Sequence, residues 1–122
     1  VTVVRDPVRR RQAGVVVANE MRARNELRAE ILKALANLTR VCIVEKLKDG
    51  PQSVGELSEK LGESPSMTSR HLGVLKRAGL VEDRKEGTTV VYSMVTDRIP
   101  DILGSVDEVI KMSYERYKAF FE

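Results

Sequence analysis

The 122-residue sequence predicts a mainly helical α+β fold carrying one β-hairpin. Three observations predict it. Apolar residues recur at spacings of three and four over long stretches near both ends, the period of an amphipathic helix. Two serine caps, Ser53 and Ser64, open two further helical segments separated only by Gly62-Glu63-Ser64, so the chain must turn sharply there. After Gly79 the pattern becomes β-rich on either side of a turn at Gly87, as a hairpin requires. Helix, tight turn, helix and hairpin, in that order, are the layout of a winged helix-turn-helix.

The elements follow in chain order. Residues 1–17 lack a clear period and are punctuated by Asp6-Pro7 and Gly14; they read as a basic, flexible or partly ordered arm with Arg5, Arg9, Arg10 and Arg11. Residues 18–122 make up the winged domain and its terminal helix. A first helix is expected over residues 18–36, with Met21, Leu27, Ile31, Leu32 and Leu35 on its apolar side. A second starts at Thr39 or Arg40 and runs to Lys48, and Asp49-Gly50-Pro51 ends it, because proline cannot continue a helix. Ser53-Val54-Gly55-Glu56 is a capping box: the serine hydroxyl accepts from a backbone amide three residues on, and the glutamate reaches back. Ser64-Pro65 opens a helix over residues 65–78, proline being favoured at the first helical position. Strands are expected from Leu80 to Arg84 and from Thr89 to Met94, with Lys85-Glu86-Gly87-Thr88 turning between them.

The last helix starts near Asp97 with Pro100 in its first turn, and its apolar stripe continues to Phe121. As one helix it would be about 35 Å long, more than a small winged domain can cover. It is expected to pack with the first helix and with a second chain. Met21, Leu27, Ile102, Val106, Val109, Ile110, Tyr117 and Phe120 are the expected dimer side chains.

Composition narrows the function. The chain is 42% hydrophobic and 32% charged, which describes an ordinary globular domain. Nothing in it reads as a membrane span or secretory signal. One cysteine cannot form a disulfide within the chain, and a cytoplasmic location is expected. One histidine, one cysteine and no phosphate-binding glycine loop offer no catalytic arrangement, so no enzyme and no cofactor are expected. The net charge of +3 is small, but Arg70, Lys76, Arg77, Arg84 and Lys85 concentrate positive charge around the second capped helix and the hairpin. Basic groups gathered this way suit a polyanion, although each alone is more simply read as part of a solvated surface.

On a helical projection of residues 65–78, Thr68, Leu72 and Leu75 face one side, with His71 at its edge, where it reads as a packing or phosphate-contacting residue. Ser66, Arg70, Gly73 and Arg77 face the other, with Met67 and Ser69 on the shoulders. That outer face is small near its start, so it can enter a major groove. Arg70 can fork onto guanine, the serines can reach base edges or phosphates, and Gly73 permits close approach. Ser64 at the helix N-terminus favours a phosphate, as do Arg77 and, from the hairpin, Arg84 and Lys85. Exposed aromatics, which single-strand and RNA binders use, are absent from this helix. The alternative is a winged module that binds protein, which would show an apolar or acidic patch there.

Leu35-Ala36-Asn37-Leu38-Thr39-Arg40, Ser53-Val54-Gly55-Glu56-Leu57, Ser69-Arg70-His71-Leu72-Gly73-Val74-Leu75-Lys76-Arg77-Ala78-Gly79-Leu80-Val81, Glu86-Gly87 and Val91-Tyr92-Ser93 together resemble the ArsR/SmtB family. The resemblance covers residues 32–94. Leu38 stands where the family usually has proline. The resemblance implies a homodimeric repressor that reads an imperfect palindrome in double-stranded DNA and leaves it when an inducer binds. Two of the family's metal sites are not carried over. Where one branch has paired cysteines, this chain has Ser53 and Gly55. Where another has ligands on the last helix, it has Ile99, Ile110 and Ser113, or in the adjacent frame Arg98, Val109 and Met112. No metal is therefore expected and the inducer is unidentified. Asp97, Asp101, Asp107 and Glu108 could bind a hard cation weakly, but helix capping explains the first two more simply. Cys42, flanked by Val41, Ile43 and Val44, reads as a small buried hydrophobe; a thiol-based redox sensor using Cys42 is an alternative. Tyr114, Tyr117, Phe120 and Phe121 read as interface core rather than as a ligand pocket.

Overall fold

The computed structural model describes residues 7–121, apart from the side chains of residues 7–10, 117 and 119–121. Arg5, and the side chains of Arg9, Arg10, Tyr117 and Phe120, therefore lie outside the described residues. The elements are α1 (Pro7–Leu35), α2 (Leu38–Leu47), β1 (Gln52–Ser53), α3 (Val54–Leu61), α4 (Pro65–Arg77), β2 (Val81–Glu86), β3 (Thr89–Met94), α5 (Arg98–Met112) and α6 (Tyr114–Phe121). The chain forms two compact units, one ending at Lys33 and the other beginning at Ala34.

The first unit is helical from Pro7, not from Ala18 as the periodicity suggested. Gly14 and the β-branched run Val15-Val16-Val17 blur the sequence pattern, but a single glycine costs a helix only about 1 kcal/mol relative to alanine. Val15, Val16, Val17, Met21, Leu27 and Leu32 are all exposed.

The second unit holds the core. Ile43 and Val44 of α2, Leu57 of α3, and Leu72 and Leu75 of α4 are fully buried. Leu80, Val81, Val91, Tyr92 and Ile99 close over them. Helix α2 starts at Leu38, capped by the Asn37 side chain, which accepts from Arg40 N. Leu38 is thus the first helical residue, a position that tolerates proline. The capping box at Ser53 forms as read: Ser53 Oγ accepts from Glu56 N at 3.1 Å, and Ser53 N donates to Glu56 Oε1 at 3.2 Å. Gly62 adopts φ 64°, and Glu63 N donates back to Ser58 O. This six-residue closure ends α3 and aims the chain into α4.

A short strand went unread in the sequence. β1 pairs antiparallel with β3, Gln52 opposite Tyr92, which makes a three-stranded sheet of order β1-β3-β2. Two residues carry no period. What holds β1 is tertiary: buried Gln52 donates from Nε2 to Lys46 O and accepts from Lys60 Nζ at 2.7 Å. The hairpin turn is tighter than expected. β2 and β3 pair out to Glu86 opposite Thr89, leaving only Gly87-Thr88 as the loop. Gly87 takes φ 66° and Thr88 does not take a positive φ, the pattern of a type II′ hairpin.

The terminal stripe is not one helix. The chain breaks at Ser113, between α5 and α6. Asp97 precedes α5 but makes no side-chain capping bond; Thr96 Oγ1 accepts from Arg98 N instead, at 3.2 Å. Of the expected dimer side chains here, Val106, Val109 and Ile110 are exposed and Ile102 is half-buried. No helix among the described residues is long and apolar enough to cross a membrane.

Candidate nucleic-acid interface

Helix α4 is anchored along one face. Thr68, Leu72 and Leu75 are fully buried, and Thr68 Oγ1 donates to Ser64 O at 2.9 Å, so even the polar member of that face is satisfied. Anchoring one side of a helix fixes which residues the other side shows. Ser66, Ser69, Arg70 and Arg77 are exposed, Met67 is partly so, and His71 and Gly73 are half-buried.

The N-terminus of α4 is formed by Ser64, whose Oγ accepts from Met67 N at 3.2 Å and lies 3.3 Å from Ser66 Oγ. The Ser64 hydroxyl is thus engaged as a cap, and Ser66 carries the adjacent hydroxyl. A methyl group added at Gly73 would lie 3.5 Å from Arg77 Nη1. The Arg77 guanidinium therefore reaches back one turn and lies over residue 73. The outer face near its middle is backbone, overlaid by a cation.

The hairpin differs from its sequence reading in charge. Arg84 is paired with Glu86, Nη2 to Oε1 at 2.8 Å and Nε to the same oxygen at 2.9 Å. Lys76, in the last turn of α4, is paired with Asp83 of β2 at 2.9 Å. That hydrogen bond, and then the Asp83 charge, raise the Lys76 pKa above the usual lysine value. The pair ties α4 to the hairpin. The Arg84–Glu86 partnership was legible in principle, since residues two apart on a strand share a face; Lys76–Asp83 depends on how the hairpin folds back.

Sequence reasoning also missed Arg40 in this neighbourhood. Its Nη1 donates to His71 Nδ1 at 3.2 Å, and its Nε donates to Ala34 O at the end of α1. His71 was expected at the edge of the core, and its half-buried ring is consistent with that. Cys42 is half-buried rather than closed off in the core. Among the described residues, no three His, Cys, Asp or Glu side chains gather closely enough to hold a metal ion.

Residues 37–83 match the family described as bacterial regulatory protein, arsR family. The chain is 40% identical over 85 residues to an uncharacterized HTH-type transcriptional regulator of Methanocaldococcus jannaschii, covering 69% of this chain and 96% of the relative. It is 42% identical over 80 residues to the transcriptional activator HlyU of Vibrio cholerae, covering 66% and 74%. A homodimeric winged helix-turn-helix DNA-binding domain from Mycobacterium bovis superposes with a TM-score of 0.70 at 30% identity, covering 79% of this chain and 89% of that one. The chain belongs to the ArsR family of bacterial regulatory proteins, and it is a winged helix-turn-helix transcriptional regulator.

Proposed function

We propose that this chain is a homodimeric repressor that reads an imperfect palindrome in double-stranded DNA and is released by an inducer not yet identified. The observation that carries the DNA reading is the outer face of α4. It presents Ser66, Ser69, Arg70 and Arg77 to solvent while Thr68, Leu72 and Leu75 are buried behind it. A protein-docking module would need an apolar or acidic patch there. Dimerisation is supported by the exposed apolar side chains Met21 and Leu27 of α1 and Val106, Val109 and Ile110 of α5, which water would otherwise cover at a cost. Two copies related by a twofold axis would set their α4 helices about 34 Å apart, one turn of DNA. Arg84, Lys85 and basic residues near the start of the chain would contact phosphates on either side.

Repression is the simpler sign, because a dimer covering a promoter blocks access without further contacts. The protein acts in the cytoplasm as a binding protein, without catalysis, cofactor or metal. Its inducer acts by binding the DNA-free geometry more tightly than the DNA-bound one, as linkage requires. The experiment is a titration against the DNA upstream of its own coding sequence and a scrambled control, at two salt concentrations. Selective binding that persists at higher salt is the expected result. Equal, steeply salt-sensitive binding to both fragments defeats the specific reading, and no binding at either salt brings the protein-docking module forward. Transcription from the bound promoter then fixes the sign, with a fall expected.

A further inference from the structure

Resting on the reading of α4 as the DNA-facing helix, we infer that Arg40 is a positioning residue that sets the tautomer and orientation of His71 so that its Nε2–H is offered to DNA. A guanidinium has donors and no acceptor. The 3.2 Å contact from Arg40 Nη1 to His71 Nδ1 therefore requires a lone pair on Nδ1. In the neutral ring the proton then sits on Nε2, on the other side of the imidazole. His71 is half-buried on the shoulder of α4, between the buried line of Leu72 and Leu75 and the exposed Arg70. Its Nε2 has no partner among the described residues, yet no unpartnered side-chain nitrogen or oxygen among them is buried. Nε2 is thus not sealed from solvent, and is a directed donor suited to a phosphate or base acceptor.

Arg40 is itself held. It sits in the first turn of α2, where its backbone N donates to Asn37 Oδ1 at 3.1 Å. Its Nε meets Ala34 O, one of the carbonyls a helix end leaves unpaired. One side chain thus links the end of α1 and the start of α2 to the middle of α4. A lysine has a single nitrogen and cannot reproduce the two-pronged contact.

The test uses the full chain, whose single histidine makes its ring nitrogens unambiguous in a ¹⁵N spectrum. In the free protein above neutral pH, a protonated Nε2 and an unprotonated Nδ1 are expected. Arg40→Ala and Arg40→Lys should both shift the ring toward an averaged mixture of tautomers, with the lysine variant guarding against loss of the fold. A protonated Nδ1 in the parent chain, or spectra that neither variant changes, overturns the assignment. On the upstream DNA fragment, Arg40→Ala and His71→Phe should each weaken binding by about tenfold, and the double variant should lose no more than either single one. Losses that multiply in the double variant overturn the linkage. If the parent chain binds no DNA, the role of Nε2 falls together with the DNA reading, while the spectrum still decides whether Arg40 sets the tautomer.

Discussion

Helix α4 and the β2–β3 hairpin both present cations, but in different electrostatic states. Arg70 and Arg77 are exposed, and neither has an ion-pair partner among the described residues. Arg84 of the hairpin is held by Glu86, and β2 also carries Glu82 and Asp83 against Arg84 and Lys85. Lys76 in the last turn of α4 is paired with Asp83. Exposed pairs of this kind stabilise a fold by about 0–1 kcal/mol, yet each lowers the charge its cation offers to a phosphate. A count of basic residues therefore overstates the field of the wing. Arg70 and Arg77 of the helix stay unpaired among the described residues, whereas the hairpin uses part of its charge in ion pairs.

The largest test removes the platform under the helix. Leu72→Ala should cost about 2–5 kcal/mol in urea unfolding, because a fully buried side chain is lost and a cavity is left; a cost under 1 kcal/mol would mean that α4 is not anchored as described. Arg70→Ala should leave stability nearly unchanged and weaken binding to the cognate fragment by about 1–3 kcal/mol. An unchanged preference over the scrambled control would remove Arg70 as a base reader.

Gly73→Ala separates folding from approach. The added methyl meets Arg77 only at ordinary contact distance, so stability should rise by up to about 1 kcal/mol through helix propensity while DNA affinity falls. Tighter binding would show that the groove does not come close to residue 73. The smallest effect is expected in the wing. Glu86→Gln frees Arg84 and should tighten binding by about 0.2–1 kcal/mol with a steeper salt dependence. Unchanged titrations would mean that Arg84 stays off the DNA. For the tie between the two regions, the Lys76 pKa is raised in the fold above the usual 10.5, so its contribution is fully present below about pH 10.5. It should be lost as pH rises through the raised value, and Asp83→Asn should erase that alkaline dependence in unfolding curves.

Much of this arrangement was legible from local chemistry. Serine before an apolar helix, glycine after it and proline at its first position act within one turn of chain, so α3, α4 and their junction could be read in sequence. The projection that buries Thr68, Leu72 and Leu75 could be read for the same reason, since it depends only on helical period. Where local signals were weak, the reading failed. The start of α1 was blurred by Gly14 and three valines, although nothing there breaks a helix. The break at Ser113 lies inside an unbroken apolar stripe and carries neither glycine nor proline to mark it.

Local chemistry set the helix-turn-helix junction, the serine caps at Ser53 and Ser64, the turn at Gly87 and the face that α4 shows, because each rests on interactions a few residues apart. Only the tertiary structure decided that Gln52 belongs to a sheet, that Lys76 is engaged by Asp83 and that Arg40 meets His71. Those partners are seven, thirty-one or forty residues apart in the chain. No periodicity reports such pairs, because the folding of the hairpin and the packing of α2 against α4 bring them together.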